Sequence, residues 1–351
     1  MDDNVEMTDA DITPQIPKKP KVSKENLPFI EKYRPDTLKD IVSHEEILNT
    51  LNRFVDQKNI PHLLFHGPAG TGKTSCIFAL ARQIYGGNNK YNVLELNASD
   101  ERGIEVVREK IKEFCSSQMI VNKGIKLVIL DEADMMTTVA QMALRRVIEK
   151  FTKNVRFCLI CNQVNKIIMP IQSRCMRFRF APLKPEQCIE RIKYICGKEE
   201  IEIDDQTMRV MIKIGKGDMR KILNILESTW MSKKVVNVNS VYELTGLPNP
   251  SQMDFMINYM FTNSYEDAYK TINKYRLDNG FAINDILLEL LDRVSTSEIV
   301  TCELLILLTK RFSELDHLVN LGSNEKILMG NLVGIFQVLK ENGIKELKRI
   351  I

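Results

Sequence analysis

The chain has 351 residues, of which 44% are hydrophobic and 27% charged, so its composition is that of a folded protein with room for two or three domains. No apolar run approaches the roughly 20 residues of a membrane span, and the acidic first four residues do not resemble a signal peptide, so we expect a protein that stays inside the cell, with no membrane partner. The net charge of +3 permits nucleic acid as a partner without requiring it.

Residues 1–28 form a segment of different composition. Six acidic residues and four lysines leave it negatively charged, and it has three prolines before Lys21 and almost no periodic apolar pattern. We expect a disordered tail. Residues 17–22 resemble a nuclear import signal, although a solvated basic patch explains this short motif equally well.

From residue 29 to residue 182, short apolar runs alternate with helical patterns. Strands are expected at 62–66, 93–96, 126–130 and 157–161, and helices at 73–85, 104–116 and 138–151. This alternation predicts an α/β fold, a parallel sheet with helices on both faces.

From residue 183 onward the strand pattern disappears. Apolar residues recur at helical spacing over 186–198, 205–214 and 218–230, which predicts a three-helix unit that ends near residue 247. The rest of the chain, 248–351, is expected to form a bundle of about five helices.

A glycine-rich segment, residues 67–74, follows the first strand and opens a helix. In that context it predicts a phosphate-binding loop, because its backbone amides and the helix start can surround phosphate oxygens. We expect Lys73 to reach the terminal phosphates and Thr74 to supply a hydroxyl to Mg²⁺. The predicted nucleotide contacts are Gly67, Pro68, Ala69, Gly70, Thr71, Gly72, Lys73, Thr74 and Ser75.

Two carboxylates follow the predicted strand 126–130. Asp131 is placed to bind Mg²⁺, and Glu132 to orient and polarise an attacking water. Alone, an acidic pair after a strand is as often a helix cap. The letters of residues 131–134 also match a motif of RNA helicases, but neither the Ser-Ala-Thr nor the His-x-x-Gly-Arg motif of such helicases occurs in the chain.

Eight cysteines are scattered through the chain and are expected to be reduced thiols. Cys158 and Cys161 form the single close pair. Because no second pair or histidine pair accompanies them, we do not predict a zinc site.

Several motifs together resemble those of the small subunits of replication factor C, a clamp loader of the AAA+ class. The matching segments are 29–35, 67–74, 94–103, 131–134, Asn162, 173–175 and 217–220. Residues 147–158 and 324–327 are most similar to one particular subunit of that family. The chain departs from the family pattern at Phe29, where Trp is usual, and at Ala69, where a second Pro is usual.

The resemblance implies roles for single residues. Asn162 resembles sensor one and Arg220 sensor two, both directed at the γ-phosphate, and Asn97 resembles the residue that restrains Glu132. Arg174, in a Ser-Arg-Cys motif after a predicted strand, is implied to reach the nucleotide of the next subunit. Without the resemblance, Asn162 would be interpreted as a turn residue and Asn97 as a strand-end asparagine. Arg220 would be interpreted as a surface arginine, and Arg174 as a surface or ion-pair arginine.

The resemblance also implies the architecture and the reaction. An AAA+ module (29–182) would enclose adenosine with Ile30, Arg34 and Val42, and would be followed by a lid (183–247) and a collar (248–351). Ile30 and Val42 are equally compatible with a plain core role. The expected function is that of an ATP- and Mg²⁺-dependent ATPase subunit of a nuclear hetero-pentamer of replication factor C subunits.

Such an assembly loads a sliding clamp, proliferating cell nuclear antigen, on primer-template DNA. The alternative is a scaffold subunit that binds nucleotide without turnover; the presence of Lys73, Thr74 and Glu132 favours the motor. Met119 and Ile120 are candidates for clamp contact, although burial beneath their loop explains them at least as well.

DNA contacts are expected from Arg102, Arg108 and Lys112, of which the last two lie one helical turn apart. A solvated helix face with interleaved glutamates explains them equally well. Whether Arg145 and Arg146 face DNA or a neighbouring subunit is left open by the sequence.

Overall fold

The computed structural model describes residues 27–57, 59–86, 92–98, 104–117, 125–296 and 302–341. The predictions for the tail before residue 27, for Arg102 and for Met119 and Ile120 lie outside these residues. Within them, no helix has the length and apolar character needed to cross a membrane.

Five parallel strands form one sheet in the order β2-β3-β4-β1-β5. They are β1 (Leu63–His66), β2 (Val93–Asn97), β3 (Lys126–Asp131), β4 (Val155–Cys161) and β5 (Met176–Arg179). The four predicted strands are confirmed, with ends shifted by one or two residues. The sequence analysis missed β5 because this edge strand buries Phe178 alone and exposes its three other residues, so it has no continuous apolar run.

Helices cover both faces of the sheet, as predicted. They are α2 (Glu45–Asp56), α3 (Lys73–Tyr85), α4 (Ile104–Ser116), α5 (Thr138–Phe151) and α6 (Met169–Gln172), and the short α1 (Phe29–Lys32) precedes them in the chain. Successive strand residues point to opposite faces, so Phe65 packs with α2 and α3 while its neighbour Leu64 packs with α4 and α5. The sheet is thus buried on both sides, which fixes the positions of its carboxyl ends.

The second part of the described chain is entirely helical. Its helices are α7 (Pro185–Glu199), α8 (Asp205–Gly215), α9 (Met219–Lys233), α10 (Val238–Thr245), α11 (Pro250–Thr262), α12 (Tyr265–Asn279), α13 (Ile283–Thr296), α14 (Cys302–Asn320) and α15 (Glu325–Glu341). The three predicted helices of the first unit are confirmed, and the short α10 is an addition to them. The five described helices α11–α15 share one hydrophobic cluster, as expected for a bundle.

The short helix α1 packs on the helical unit α7–α10 although it precedes the sheet in sequence. Phe29 is buried in the same cluster as Ile192 and Leu226. Its backbone N–H donates a hydrogen bond of 3.1 Å to Glu227 of α9, and Arg191 Nη2 donates one of 2.5 Å to the carbonyl of Tyr33. The segment that starts at residue 29 therefore connects the sheet to the helical unit.

Candidate nucleotide-binding site

The loop between β1 and α3 contains three glycines with positive φ. The values are 148° at Gly67, 68° at Gly70 and 90° at Gly72, which side chains with a Cβ rarely adopt. A Cβ at Gly67 would lie 2.0 Å from the carbonyl oxygen of Phe180, and one at Gly70 would lie 1.7 Å from Oδ1 of Asp218. The loop is therefore held between the end of β5 and the start of α9.

Lys73 lies inside this loop and is 7% exposed. Its Nζ donates hydrogen bonds to the carbonyls of Gly67 and Pro68, both at 2.7 Å, and to Oδ1 of Asn162 at 3.1 Å. Burial lowers the pKa of the Lys73 amine, while the nearby Asp131 carboxylate opposes that shift. The first residue of α3 and the residue that follows β4 are thus brought together, although 89 positions separate them.

The carboxyl end of β3 lies beside the start of α3. Thr74 Oγ1 donates a hydrogen bond of 2.9 Å to Oδ2 of Asp131, and the backbone N–H of Glu132 donates one of 2.9 Å to Oδ1 of Asp131. Glu132 has a φ of 54°, a left-handed conformation that non-glycine residues adopt mainly at turns and functional sites. Both predicted acidic residues therefore lie at the edge of the sheet that carries the glycine-rich loop.

Asp134 and Asn97 join neighbouring strands to this edge. Oδ2 of Asp134 accepts hydrogen bonds from the backbone N–H groups of Asn162 at 3.3 Å and Gln163 at 3.1 Å. Asn97 ends β2 directly opposite Asp131 in the strand register. The predicted residues Asn97, Asp131 and Asn162 thus lie at the ends of three adjacent strands.

A cleft opens beside the loop and contains about 920 Å³ of space free of protein atoms, including open solvent at its mouth. Its lining includes the predicted residues Ile30, Arg34, Val42, Gly70, Thr71, Gly72, Thr74, Ser75 and Arg220. Pro68 and Ala69 are exposed on the loop. Arg220 comes from the helical unit, so the cleft lies between that unit and the sheet.

Sequence reasoning missed several residues of the cleft. They include Tyr33, Asp40, Ser43, Leu183, Gln187, Arg191 and Leu223. Gln187 and Arg191 occupy one face of α7 one turn apart, and they have no motif that separates them from ordinary polar helix residues. Tyr33 could have been added to the predicted cleft residues, because it lies between Ile30 and Arg34 in the sequence.

The residues at the sheet edge fit Mg²⁺ bound together with nucleotide phosphates. The oxygens of Thr74 and Asp131 meet at 2.9 Å, and hard cations of this kind prefer oxygen ligands. No group of three or more His, Cys, Asp or Glu side chains among the described residues could hold a metal without such help. Burial raises the pKa of the Cys161 thiol to about 12 and that of Cys158 well above its usual value, which disfavours the thiolates that zinc requires.

Arg174 lies apart from the cleft, whose lining residues do not include it. The sequence analysis placed it after a strand, and that was wrong: it follows the short helix α6 and precedes β5, because Pro170 starts a helical turn there. Its Nη1 donates a hydrogen bond of 2.7 Å to the carbonyl of Pro170, and its Nη2 lies 2.6 Å from Oε1 of Glu149. Arg174 is thus a partly exposed ion-pair residue of this chain.

The candidate DNA residues are only partly described. Lys112 is exposed on α4. Arg108 belongs to the same helix, but its side chain lies outside the described part, as does the whole of Arg102. The DNA contacts therefore stay a prediction.

Comparison with known proteins gives two matching families and many relatives. Residues 63–183 match the ATPase family associated with various cellular activities (AAA), and residues 248–334 match the replication factor C C-terminal domain. The chain is 46% identical to the probable replication factor C subunit 5 of Dictyostelium discoideum over 325 residues, which are 91% of this chain and 92% of that protein. It is 45% identical to the human replication factor C subunit 5 over 90% of this chain and 93% of that protein.

The replication factor C subunit 3 of Saccharomyces cerevisiae is 41% identical over 92% of this chain and 96% of that protein. Among solved structures, the Thermotoga maritima RuvB Holliday junction branch migration motor covers 73% of this chain and 91% of its own, with a TM-score of 0.50. At 15% identity this last likeness supports the fold alone.

Proposed function

The chain belongs to the replication factor C family and is an ATPase subunit of that multi-subunit clamp loader of DNA replication; from this premise we propose that it hydrolyses ATP at its own site, with Mg²⁺ held by Thr74 and Asp131. The observation that carries the proposal is the contact between these two side chains at the base of the glycine-rich loop. A subunit that only binds Mg²⁺–ATP would use the same contact, so hydrolysis is favoured by the adjacent Glu132, a carboxylate that turnover needs and nucleotide binding does not.

At the phosphate end of the site, the backbone of residues 67–74 acts together with two cations, the Lys73 amine and Mg²⁺. Backbone amides of residues 67–74 receive the phosphate oxygens, and Lys73 supplies positive charge from within the loop. Thr74 and Asp131 would hold Mg²⁺, which would supply positive charge to offset the charge that develops on the phosphates. Ile30, Arg34 and Val42 enclose the adenosine on the other side of the cleft.

Glu132 orients and polarises the water that attacks the γ-phosphate. Its backbone N–H is tied to Asp131, so its side chain projects from a fixed left-handed turn next to the metal ligand. Asn162 and Arg220 reach the γ-phosphate from β4 and from α9, respectively, while Asn97 restrains Glu132. Arg174 acts on the nucleotide of the neighbouring subunit, since it lies outside the cleft of its own chain.

The same proposal assigns the parts of the chain. Residues 29–182 are the AAA+ module, 183–247 the lid and 248–351 the collar that joins the hetero-pentamer, while 1–28 form a tail with a nuclear import signal. The assembly acts in the nucleus, where it loads proliferating cell nuclear antigen on primer-template DNA. Arg102, Arg108 and Lys112 contact the DNA backbone, and Met119 and Ile120 contact the clamp.

One experiment separates the motor from a scaffold that binds nucleotide without turnover. The complete assembly is reconstituted with the phosphate-loop lysine changed to alanine in every subunit except this one. We expect ATP hydrolysis that DNA and clamp stimulate and that a further Lys73→Ala change abolishes. ATP binding without any turnover in this assembly would identify a scaffold.

A further inference from the structure

Glu149 of α5 contacts two arginines through one oxygen atom. Its Oε1 lies 2.6 Å from Nη2 of Arg174 and 3.0 Å from Nε of Arg145, which stands one turn earlier on the same helix. Nη1 of Arg174 also donates a hydrogen bond of 2.7 Å to the carbonyl of Pro170. Acceptors from two different elements thus hold both terminal nitrogens of the Arg174 guanidinium.

We propose that Glu149 is a positioning residue that holds Arg174 in the orientation in which it meets the nucleotide of the neighbouring subunit, and that Arg145 keeps Glu149 in place. The inference rests on the proposed role of Arg174. Arg145, whose partner the sequence leaves open, forms an ion pair with Glu149 of its own chain.

The donor arithmetic of a guanidinium allows this arrangement. Arginine has five N–H donors, and the bonds to Pro170 and Glu149 occupy one on each terminal nitrogen. Each terminal nitrogen therefore keeps a second N–H for a phosphate oxygen. A free arginine side chain samples many rotamers, and two fixed acceptors remove most of that freedom before the neighbour's nucleotide arrives.

Glu149 has a compensating cation whether or not Arg174 contacts a phosphate. The hydrogen bond from Arg145, together with the nearby Arg174 charge, lowers the pKa of Glu149, so its carboxylate is ionised at neutral pH. When a phosphate attracts Arg174, Arg145 still compensates Glu149. Because Arg174 and Glu149 are 35% and 39% exposed, their attraction is screened by water and contributes little to folding.

The test uses the full assembly in which only the subunit that receives Arg174 keeps its phosphate-loop lysine. Glu149→Gln removes the charge but keeps the shape, and we expect the DNA-stimulated kcat at that single site to fall about tenfold, with the KM for ATP changed by less than about twofold. Arg145→Ala should also lower kcat, but by a smaller factor than Glu149→Gln. The matched control is Glu266→Gln, which removes another exposed ion pair with i,i+4 spacing and should change neither constant.

A double substitution separates positioning from a merely structural role. In an Arg174→Ala background, Glu149→Gln should lower kcat no further, and ATP binding by its own chain and the melting temperature should be unchanged. If Arg174→Ala suppresses turnover but Glu149→Gln does not, or if Glu149→Gln acts equally without Arg174, the positioning role is wrong and the arginine role stands. Full turnover with Arg174→Ala overturns both.

Discussion

The hydroxyl of Thr74 donates a hydrogen bond of 2.9 Å to Oδ2 of Asp131, across 57 positions of sequence. One residue belongs to the first turn of α3 and the other ends β3, so the sheet and the helix together place two side-chain oxygens beside the glycine-rich loop, where we propose that Mg²⁺ binds.

Thr74→Val keeps the branched shape but removes the hydroxyl. We expect ATP binding in the presence of Mg²⁺ to weaken about tenfold, because one oxygen ligand is lost and Asp131 loses its donor. Binding in excess chelator should equal that of the unaltered chain, and Thr74→Ser should restore the Mg²⁺ effect. Titration of a fluorescent ATP analogue measures these affinities; an equal loss with and without Mg²⁺ would contradict the metal role.

Glu132→Gln and Lys73→Ala should separate binding from turnover. The side-chain amide introduced by the first change cannot polarise water as a carboxylate does, but Thr74 and Asp131 stay in place, so we expect normal ATP binding and turnover reduced at least about a hundredfold. Lys73→Ala removes a buried cation and should weaken binding itself. The assignment is wrong if both variants bind ATP equally poorly in the same titration.

The sequence predicts those helices, strands and loops whose residue pattern is complete within one segment of the chain. Strands β1, β3 and β4 are buried on both faces and contain continuous apolar runs, β2 keeps three apolar residues among residues 93–96, and the glycine-rich loop has its own spacing. The edge strand β5 lacks such a run because solvent covers one side of it, and the short α10 offers only two turns of periodicity. A local sequence pattern does not show which residues become buried by packing against a neighbouring helix or strand.

The site divides in the same way. The phosphate end could be predicted because its chemistry requires glycine, lysine and acidic residues at fixed spacing. Gln187 and Arg191, on the α7 side of the cleft, have ordinary helical surroundings, and Glu149 meets Arg174 only because α5 and α6 pack together. Contacts between distant segments depend on tertiary structure, which one sequence does not display.

Gly70→Ala tests the contact between the loop and α9. A Cβ there would lie 1.7 Å from Oδ1 of Asp218, the oxygen that caps α9 by accepting the backbone N–H of Arg220 at 2.9 Å. Gly72→Ala is the matched control, because its φ is also positive but a Cβ would meet nothing within 4 Å. In chemical denaturation without nucleotide we expect Gly70→Ala to be less stable than Gly72→Ala by about 1 kcal/mol, the cost of a lost cap. Equal unfolding free energies of the two variants would show that the Asp218 side chain moves away from the new methyl group without loss of stability.

His62 should make the chain sensitive to acid. It is 7% exposed, its Nδ1 accepts the backbone N–H of Phe157 at 3.2 Å, and burial lowers its pKa to about 4, with a smaller contribution from Arg156. Between the ordinary pKa of about 6.5 and about pH 4, the unfolded chain binds a proton that the folded chain excludes. Stability is therefore lost as the pH falls through this window, by at most about 1.4 kcal/mol per pH unit.

His62→Asn keeps an acceptor for Phe157 but does not titrate, so it should reduce the slope of unfolding free energy against pH in that window. Urea denaturation at several pH values measures the slope, and His317→Asn, outside the buried core, serves as the control. A slope that His62→Asn leaves unchanged would show that other groups, such as the half-buried His44, cause the acid sensitivity.

Phe29 should couple the adenosine end of the cleft to the helical unit. Its ring is buried with Ile192 and Leu226, while Ile30 and Arg34 on the following turn line the cleft. Phe29→Ala should lower the unfolding free energy by about 3 kcal/mol, as large cavities do. It should also weaken ATP binding, because α1 loses the contact that holds the neighbouring cleft residue Ile30 on the helical unit. Phe255→Ala is the control: that ring is 41% exposed on α11, where it contacts Tyr259 and Tyr275, so its loss should cost less and leave binding unchanged. The two measurements are chemical denaturation and nucleotide titration at a temperature where both variants are folded. A destabilised Phe29→Ala chain with unaltered ATP affinity would mean that α1 supports the helical unit without shaping the cleft.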